Sequence, residues 1–217
     1  MKSKLAVLLL FSSLSCLAQS SEAAPYLAEI GKYNEASNFE DVRYQDLDWK
    51  GFYKLEEANE LVDAVNYDFD LMNAAIFYAV NKYRSSKGIQ ELRFDPMLRD
   101  AASIHSYEMV TKNFFDHTNY QDPKLKGPDT RMELCGYLGQ KLAENLCRSY
   151  VDSGHPMTYT QVADRVIAEL SKSKEHNRHL LDPEMEKLGC GVIFERVPEP
   201  GGIFYFRLTQ DYGRDRR

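Results

Sequence analysis

The stretch Leu142-Ala143-Glu144-Asn145-Leu146 sets a carboxylate and an amide among apolar side chains, in a segment too apolar for an ordinary surface loop. A charged group beside a core is tolerated only when it is paired, hydrogen-bonded or metal-bound. Any fold this chain adopts must therefore bring partners to Glu144. Three candidates have plausible local settings: His117 in Phe114-Phe115-Asp116-His117-Thr118, Glu169 at the end of Val162-Ala163-Asp164-Arg165-Val166-Ile167-Ala168-Glu169, and His176 in Ser173-Lys174-Glu175-His176. Together the four would make a site of two imidazoles and two carboxylates.

At 217 residues, 43% of them hydrophobic, the chain is long enough to bury one full core and a small addition. Its 33 acidic and 27 basic residues leave it mildly negative with no basic stripe. Nucleic acid is therefore a poor partner, and so is an anionic membrane. The first residues have the pattern of an export signal: Lys2 and Lys4, an apolar run from Leu5 to Leu14, then small residues around Cys16-Leu17-Ala18. That run is too short to span a bilayer, and no other stretch is long and apolar enough. Cleavage after Ala18 is preferred over lipid attachment at Cys16, because Ser13-Leu14-Ser15-Cys16 is a poor lipoprotein signal. The expected location is outside the cytoplasm, secreted or periplasmic.

Loss of the signal leaves Cys135, Cys147 and Cys190, an odd number in a compartment that permits disulfides. A Cys135–Cys147 bridge would close a short loop beside Glu144. Three buried thiols acting as small hydrophobes are the equal alternative.

From Ser20 to Asp48 the chain is polar without a sustained apolar period, which predicts an extended arm. Leu55, Ala58, Leu61, Val62 and Val65 recur at helical spacing and predict a short amphipathic helix. A stronger helix starts near Asp70 with Met72, Ala75, Ile76, Ala79, Val80 and Tyr83 on one face, and closes at Gly88. Asp95-Pro96 opens another, through about Lys112, whose apolar side carries His105. A hydrogen-bonded core histidine is the simpler role for His105, and it is not nominated as a ligand.

Residues 119–130 and 148–156 are expected to be loops, with a partly helical stretch from Arg131 to Leu146 between them. Thr158 and Gln161 form a capping box opening a helix through Val162, Val166, Ile167 and Leu170. Glu169 lies on the shoulder of its apolar stripe. His176, seven residues on, can converge with Glu169 only if the helix ends or bends near Ser173. The segments 189–196 and 203–210 are predicted to be two strands of a hairpin.

Several separated stretches together resemble one family. They are Asn81-Lys82-Tyr83-Arg84, Gly88 to Leu92, Phe94-Asp95-Pro96, Ala102 to Met109, Phe115-Asp116-His117, Arg131, Gly136-Tyr137, Ala143-Glu144-Asn145, Ser173 to Pro183, Gly189-Cys190-Gly191-Val192 and Thr209-Gln210-Asp211-Tyr212-Gly213. In order and spacing the chain is similar to the CAP superfamily (cysteine-rich secretory, antigen 5, pathogenesis-related 1), and within it to bacterial SCP-like extracellular domains. The resemblance covers roughly residues 70–213. It implies an α+β fold, a three-layer α-β-α sandwich with a small antiparallel sheet. The expected organisation is a signal peptide over 1–18, a leader over 19–69 and the CAP domain over 70–217.

The resemblance further implies a cavity lined by His117, Glu144, Glu169 and His176, with His117 and His176 as ligands for a divalent metal such as Zn²⁺. Val166 stands where a tryptophan is common, and Ala143 where many eukaryotic members have glycine; neither change removes a cavity side chain. No Gly-x-Ser-x-Gly elbow is present, and no cysteine is placed with a histidine as a nucleophile. The preferred expectation is a non-enzymatic binding or effector module for a lipid, sterol, peptide or glycan. The alternative is a metal-dependent hydrolase using a metal-bound water with Glu144 or Glu169 as base. A tetrad that only holds helices together is the third possibility.

Overall fold

A computed structural model describes residues 22–33, 39–198 and 202–216. The expected signal peptide, residues 1–18, with Cys16 inside it, lies outside the described residues. In chain order the helices and strands are α1 (Ala24–Tyr33), α2 (Arg43–Asp46), α3 (Trp49–Phe52), α4 (Phe69–Ser86), β1 (Arg93–Phe94), α5 (Pro96–Thr111), α6 (Pro128–Leu134), β2 (Gly139–Asp152), α7 (Tyr159–Leu170), α8 (Lys174–Leu180), β3 (Lys187–Phe194) and β4 (Ile203–Asp215).

The helix starts follow the capping chemistry. Asp68 accepts from the Leu71 amide at 2.9 Å to open α4, and Asp95 accepts from Met97 and Leu98 ahead of α5 with Pro96 in its first turn. At α7, Thr158 and Gln161 bond each other's backbone amides. The four strands are ordered β1-β3-β4-β2. β3 pairs antiparallel with β4, as the hairpin pattern predicts, and β4 with β2, while the two-residue β1 adds parallel to β3. The sheet is therefore mixed at one edge rather than wholly antiparallel.

Helices cover both faces of the sheet. α5 lies against the side of β3 that carries Gly189 and Gly191, where a Cβ on either glycine would fall inside the α5 backbone at Leu98–Arg99 or Ala102–Ser103. These two glycines let the helix settle directly on the strand. On the opposite side α4 packs on β3 and against α7. α4 is buried nearly all round: Met72, Ala75, Ile76 and Val80 are inaccessible, but Ala74, Phe77 and Tyr78 on the other flank are buried too.

That second flank is covered by the polar N-terminal segment, which corrects the expectation of an extended arm. Residues 24–33 are helical, and Phe39, Phe52 and Ala58 belong to the core. Tyr44 stacks on Phe94 with ring centroids 3.7 Å apart, and Phe52 stacks on Tyr78 at 4.5 Å. A few large aromatic anchors, spaced too irregularly to give a period, hold this segment down.

The expected helix from Leu55 to Val65 does not form. Only a single 3₁₀ turn, Glu57–Asn59, forms there, with Leu61 and Val65 exposed. Only Ala58 of the apolar series finds full cover, so the rest gain nothing from helical alignment. The loop expected over 148–156 is also partly replaced: β2 runs on to Asp152 because every residue from Lys141 pairs in register with β4. The partly helical reading of 131–146 holds only as far as Leu134.

Candidate functional site at the edge of β2

Strand alternation decides which side chains meet. On β2, Glu144 points to the α5 side and Asn145 to the other. The Glu144 side chain is 1% exposed. Its two oxygens are both engaged: Oε1 accepts from His117 Nδ1 at 2.6 Å and Oε2 from Arg131 Nη2 at 2.6 Å.

Arg131, from α6, is fully buried. Its guanidinium also donates to the carbonyls of Leu125 at 2.9 Å and His117 at 3.2 Å. One arginine thus fixes both the carboxylate and the loop that carries the histidine. Burial pushes the Glu144 carboxyl up, but the His117 hydrogen bond and the Arg131 charge outweigh it and hold the group below the usual carboxylate range. The same hydrogen bond raises His117, whose ring is half exposed.

Directly across the strand pair from Glu144 stands Asp211, which is inaccessible to solvent. Burial first, and the Glu144 charge second, push its carboxyl well above the ordinary value. Beside them His105 is fully buried and donates from Nε2 to the Asp116 carbonyl at 3.0 Å. Burial lowers its pKa to about 4. It is the hydrogen-bonded core histidine that the apolar side of α5 predicts.

His176 sits on α8, which Ser173 caps. α7 ends at Leu170, so the helix does break before His176. Asn145 draws α8 onto the strand edge, donating to the His176 carbonyl at 3.2 Å while its Oδ1 meets His179 Nδ1 at 2.9 Å. Burial, then the nearby His117, lower the pKa of the His176 ring.

Glu169 is placed differently. Its carboxylate accepts from Ser149 Oγ at 3.3 Å and lies 4.0 Å from Arg165 Nε. Ser149 is on the opposite face of β2 from Glu144, and the register between them is unbroken. The structure thus brings His117 to Glu144, holds the α8 segment carrying His176 at the strand edge through Asn145, and leaves Glu169 against the other face.

Among the described residues no group of three or more His, Cys, Asp or Glu side chains is gathered closely enough to hold a metal. The three cysteines of the described chain are unpaired, with Cys135 and Cys190 buried as small hydrophobes. A hollow of about 970 Å³ opens elsewhere, between the 41–48 segment and the start of α5; Tyr44, Phe77, Phe94 and Arg99 line it, and none of the four predicted residues does. Arg131, Asp211, Asn145 and His179 were not singled out as site residues from sequence. The available signal is that all four fall inside the stretches carrying the family resemblance, with Asn145 also the amide of the 142–146 segment.

A four-stranded sheet between helical layers, with a buried Arg-Glu pair holding a histidine at the rim, defines an α-β-α sandwich of the SCP type. The chain belongs to the CAP, or cysteine-rich secretory protein, family, whose model matches residues 77–208. It is 25% identical over 113 residues, 52% of its length, to YkwD, an uncharacterized protein of Bacillus subtilis, and covers 39% of that protein. The fold is similar to that of an extracellular protein containing an SCP domain from Bacillus anthracis, with a TM-score of 0.52 at 24% identity, covering 68% of this chain and 41% of that one. An outer surface protein of Borrelia burgdorferi gives a TM-score of 0.50 at 14% identity over 73% of this chain and 99% of that one. The chain thus spans about two fifths of the length of the first two. No helix among the described residues is long and apolar enough to cross a membrane.

Proposed function

We propose that this chain is an exported, non-enzymatic binding module whose ligand site is the rim where His117 and His176 meet. The observation that carries this reading is the double engagement of Glu144, with one oxygen on His117 and the other on Arg131. A carboxylate so held orients an imidazole well and accepts a further proton poorly, which disfavours the hydrolytic alternative with Glu144 as base. Glu169, tied to Ser149 and Arg165 on the far face, is no better placed.

With Nδ1 bound to Glu144, His117 presents Nε2 outward in the carboxylate–histidine arrangement that orients metal ligands. The His176 ring has no hydrogen bond among the described residues. Two imidazole nitrogens suit a borderline cation such as Zn²⁺, with water or the polar groups of a bound molecule completing the shell. The fit is to an open, exchangeable site. Bound there, the ion would supply a positive anchor for a ligand's oxygen atoms.

Calorimetric zinc titration of the wild type and of the His117→Ala/His176→Ala variant tests the reading, alongside assays with ester, peptide and glycoside probes. Uptake of one ion by the wild type, lost in the variant and without turnover, is the expected result. Unaltered zinc affinity in the variant would remove the metal site. Zinc-dependent turnover would replace the binding module with the hydrolase.

A further inference from the structure

Four residues of β2 and β4 form a second polar cluster on the same sheet face as Glu144, one strand-length further on. Arg148 stands directly opposite Arg207, and Tyr150 directly opposite Tyr205. Like charges facing each other across a strand pair are unfavourable unless something sits between them. Here a single carboxylate, Glu195, serves both: it is ion-paired to Arg207 and lies 3.5 Å from Arg148.

The rings complete the arrangement. The Arg148 guanidinium lies 3.9 Å over Tyr205, Arg165 reaches from α7 to lie 4.7 Å over Tyr150, and the two tyrosine rings are 6.0 Å apart. Phe115 approaches Arg207 at 5.7 Å from the opposite flank. Three guanidiniums against Glu169 and Glu195 leave a local excess of one positive charge, in a chain whose net charge is −6.

A second observation concerns the buried end of this cluster. Arg207 is only 6% exposed, and its Nε is buried without a hydrogen-bond partner. Burial and the neighbouring Arg148 both make its charge harder to hold. A desolvated guanidinium with a donor to spare and half of a shared counter-ion is an anion-binding group in waiting. Its surroundings are accessible, since Arg148 and Tyr150 are each about two-fifths exposed and Phe115 about half.

We propose that the Arg148–Arg207 pair binds the acidic group of a sugar, a carboxylate or a sulfate, while Tyr150 and Tyr205 take the ring. Planar guanidiniums pair with such oxygens in two-point fashion. The apolar CH face of a pyranose packs on an aromatic side chain by dispersion. A strand surface of alternating arginine and tyrosine offers both contacts along one line, which suits an extended acidic oligosaccharide. This site lies apart from the His117–His176 rim and does not depend on it.

The test measures binding of the wild type to oligogalacturonate and to heparin fragments, with dextran, inorganic sulfate and anionic phospholipid vesicles as comparators. The expected result is salt-sensitive binding to one or both acidic oligosaccharides and none to dextran. Arg148→Gln/Arg207→Gln should weaken it at least tenfold and Tyr150→Ala severalfold, while His117→Ala/His176→Ala leaves it unchanged. Should the double arginine variant lose its near-ultraviolet circular dichroism, Arg148→Gln alone decides, because that side chain is largely outside the core; a fivefold loss is expected. Equal binding by wild type and arginine variants would overturn the proposal. So would no binding to either acidic sugar, sulfate binding as tight as the oligosaccharide, or capture by vesicles in place of sugars.

Discussion

The Arg131 guanidinium and the Glu144 carboxylate lie 2.6 Å apart, both closed off from solvent, and among the described residues Arg131 has no other ion pair. Breaking such a pair from one side leaves a buried charge uncompensated, at a cost of about 3–5 kcal/mol. Glu144→Gln keeps the size of the side chain but strands Arg131. In a chain of this length the melting temperature should fall by about 10 °C in a thermal unfolding scan. A change of under 2 °C would show that Arg131 finds its compensation elsewhere.

Asp211 makes the opposite case. Its carboxyl is pushed well above the ordinary value by burial and then by Glu144, so the native state holds this proton more tightly than the unfolded chain does. A group whose native pKa is raised loses stability as pH climbs from its unfolded value toward the native one. The asparagine variant should therefore be at least as stable as the wild type at pH 7 by chemical denaturation, with a smaller decline between pH 4 and 7. Strong destabilisation at pH 7 would mean that Asp211 works as an anion.

His105 sets an acid limit. Its unfolded value is 6.5 and its native value about 4, lowered by burial with Arg131 and His117 in support, against the opposing pull of Glu144 and the Asp116 carbonyl. A depressed pKa gives stability that is present above pH 6.5 and is lost as pH falls through about 4. The loss amounts to about 3 kcal/mol. Denaturant titrations of the wild type and His105→Gln at pH 7 and pH 4 should show a markedly smaller acid loss in the variant.

Gly191 tests the close approach of α5 to the sheet. A Cβ there meets the backbone of Ala102 and Ser103, which cannot swing aside as a side chain could. Gly191→Ala should cost more than about 3 kcal/mol, or prevent folding. Gly31→Ala, with nothing within 4 Å of the new atom, is the control and should leave stability unchanged or slightly raised.

Much of this arrangement was legible in the sequence where the chemistry is local. The caps at Asp95 and Thr158, the break between Glu169 and His176, the hairpin of β3 and β4, and the core role of His105 all follow from neighbours within a few residues. What escaped is non-local. Tyr44 and Phe52 are held by α4 and β1, elements that lie far along the chain, so their segment has no period to betray it. The partnership of Arg131 with Glu144 joins α6 to β2 through burial that no spacing rule encodes. Glu169 matches the family's second acid through the resemblance of residues 162–169, yet strand alternation puts its partner Ser149 on the other side of β2.

The central claim is that His117 and His176 act together at one rim, and imidazole resonances report it directly. In ¹⁵N-histidine-labelled protein titrated with zinc, the ring signals of His117 and His176 should shift in step and saturate at one equivalent, while those of His105, His155 and His179 stay in place. Movement of His117 and His176 at different zinc levels, or of His155 or His179 in their stead, would contradict it.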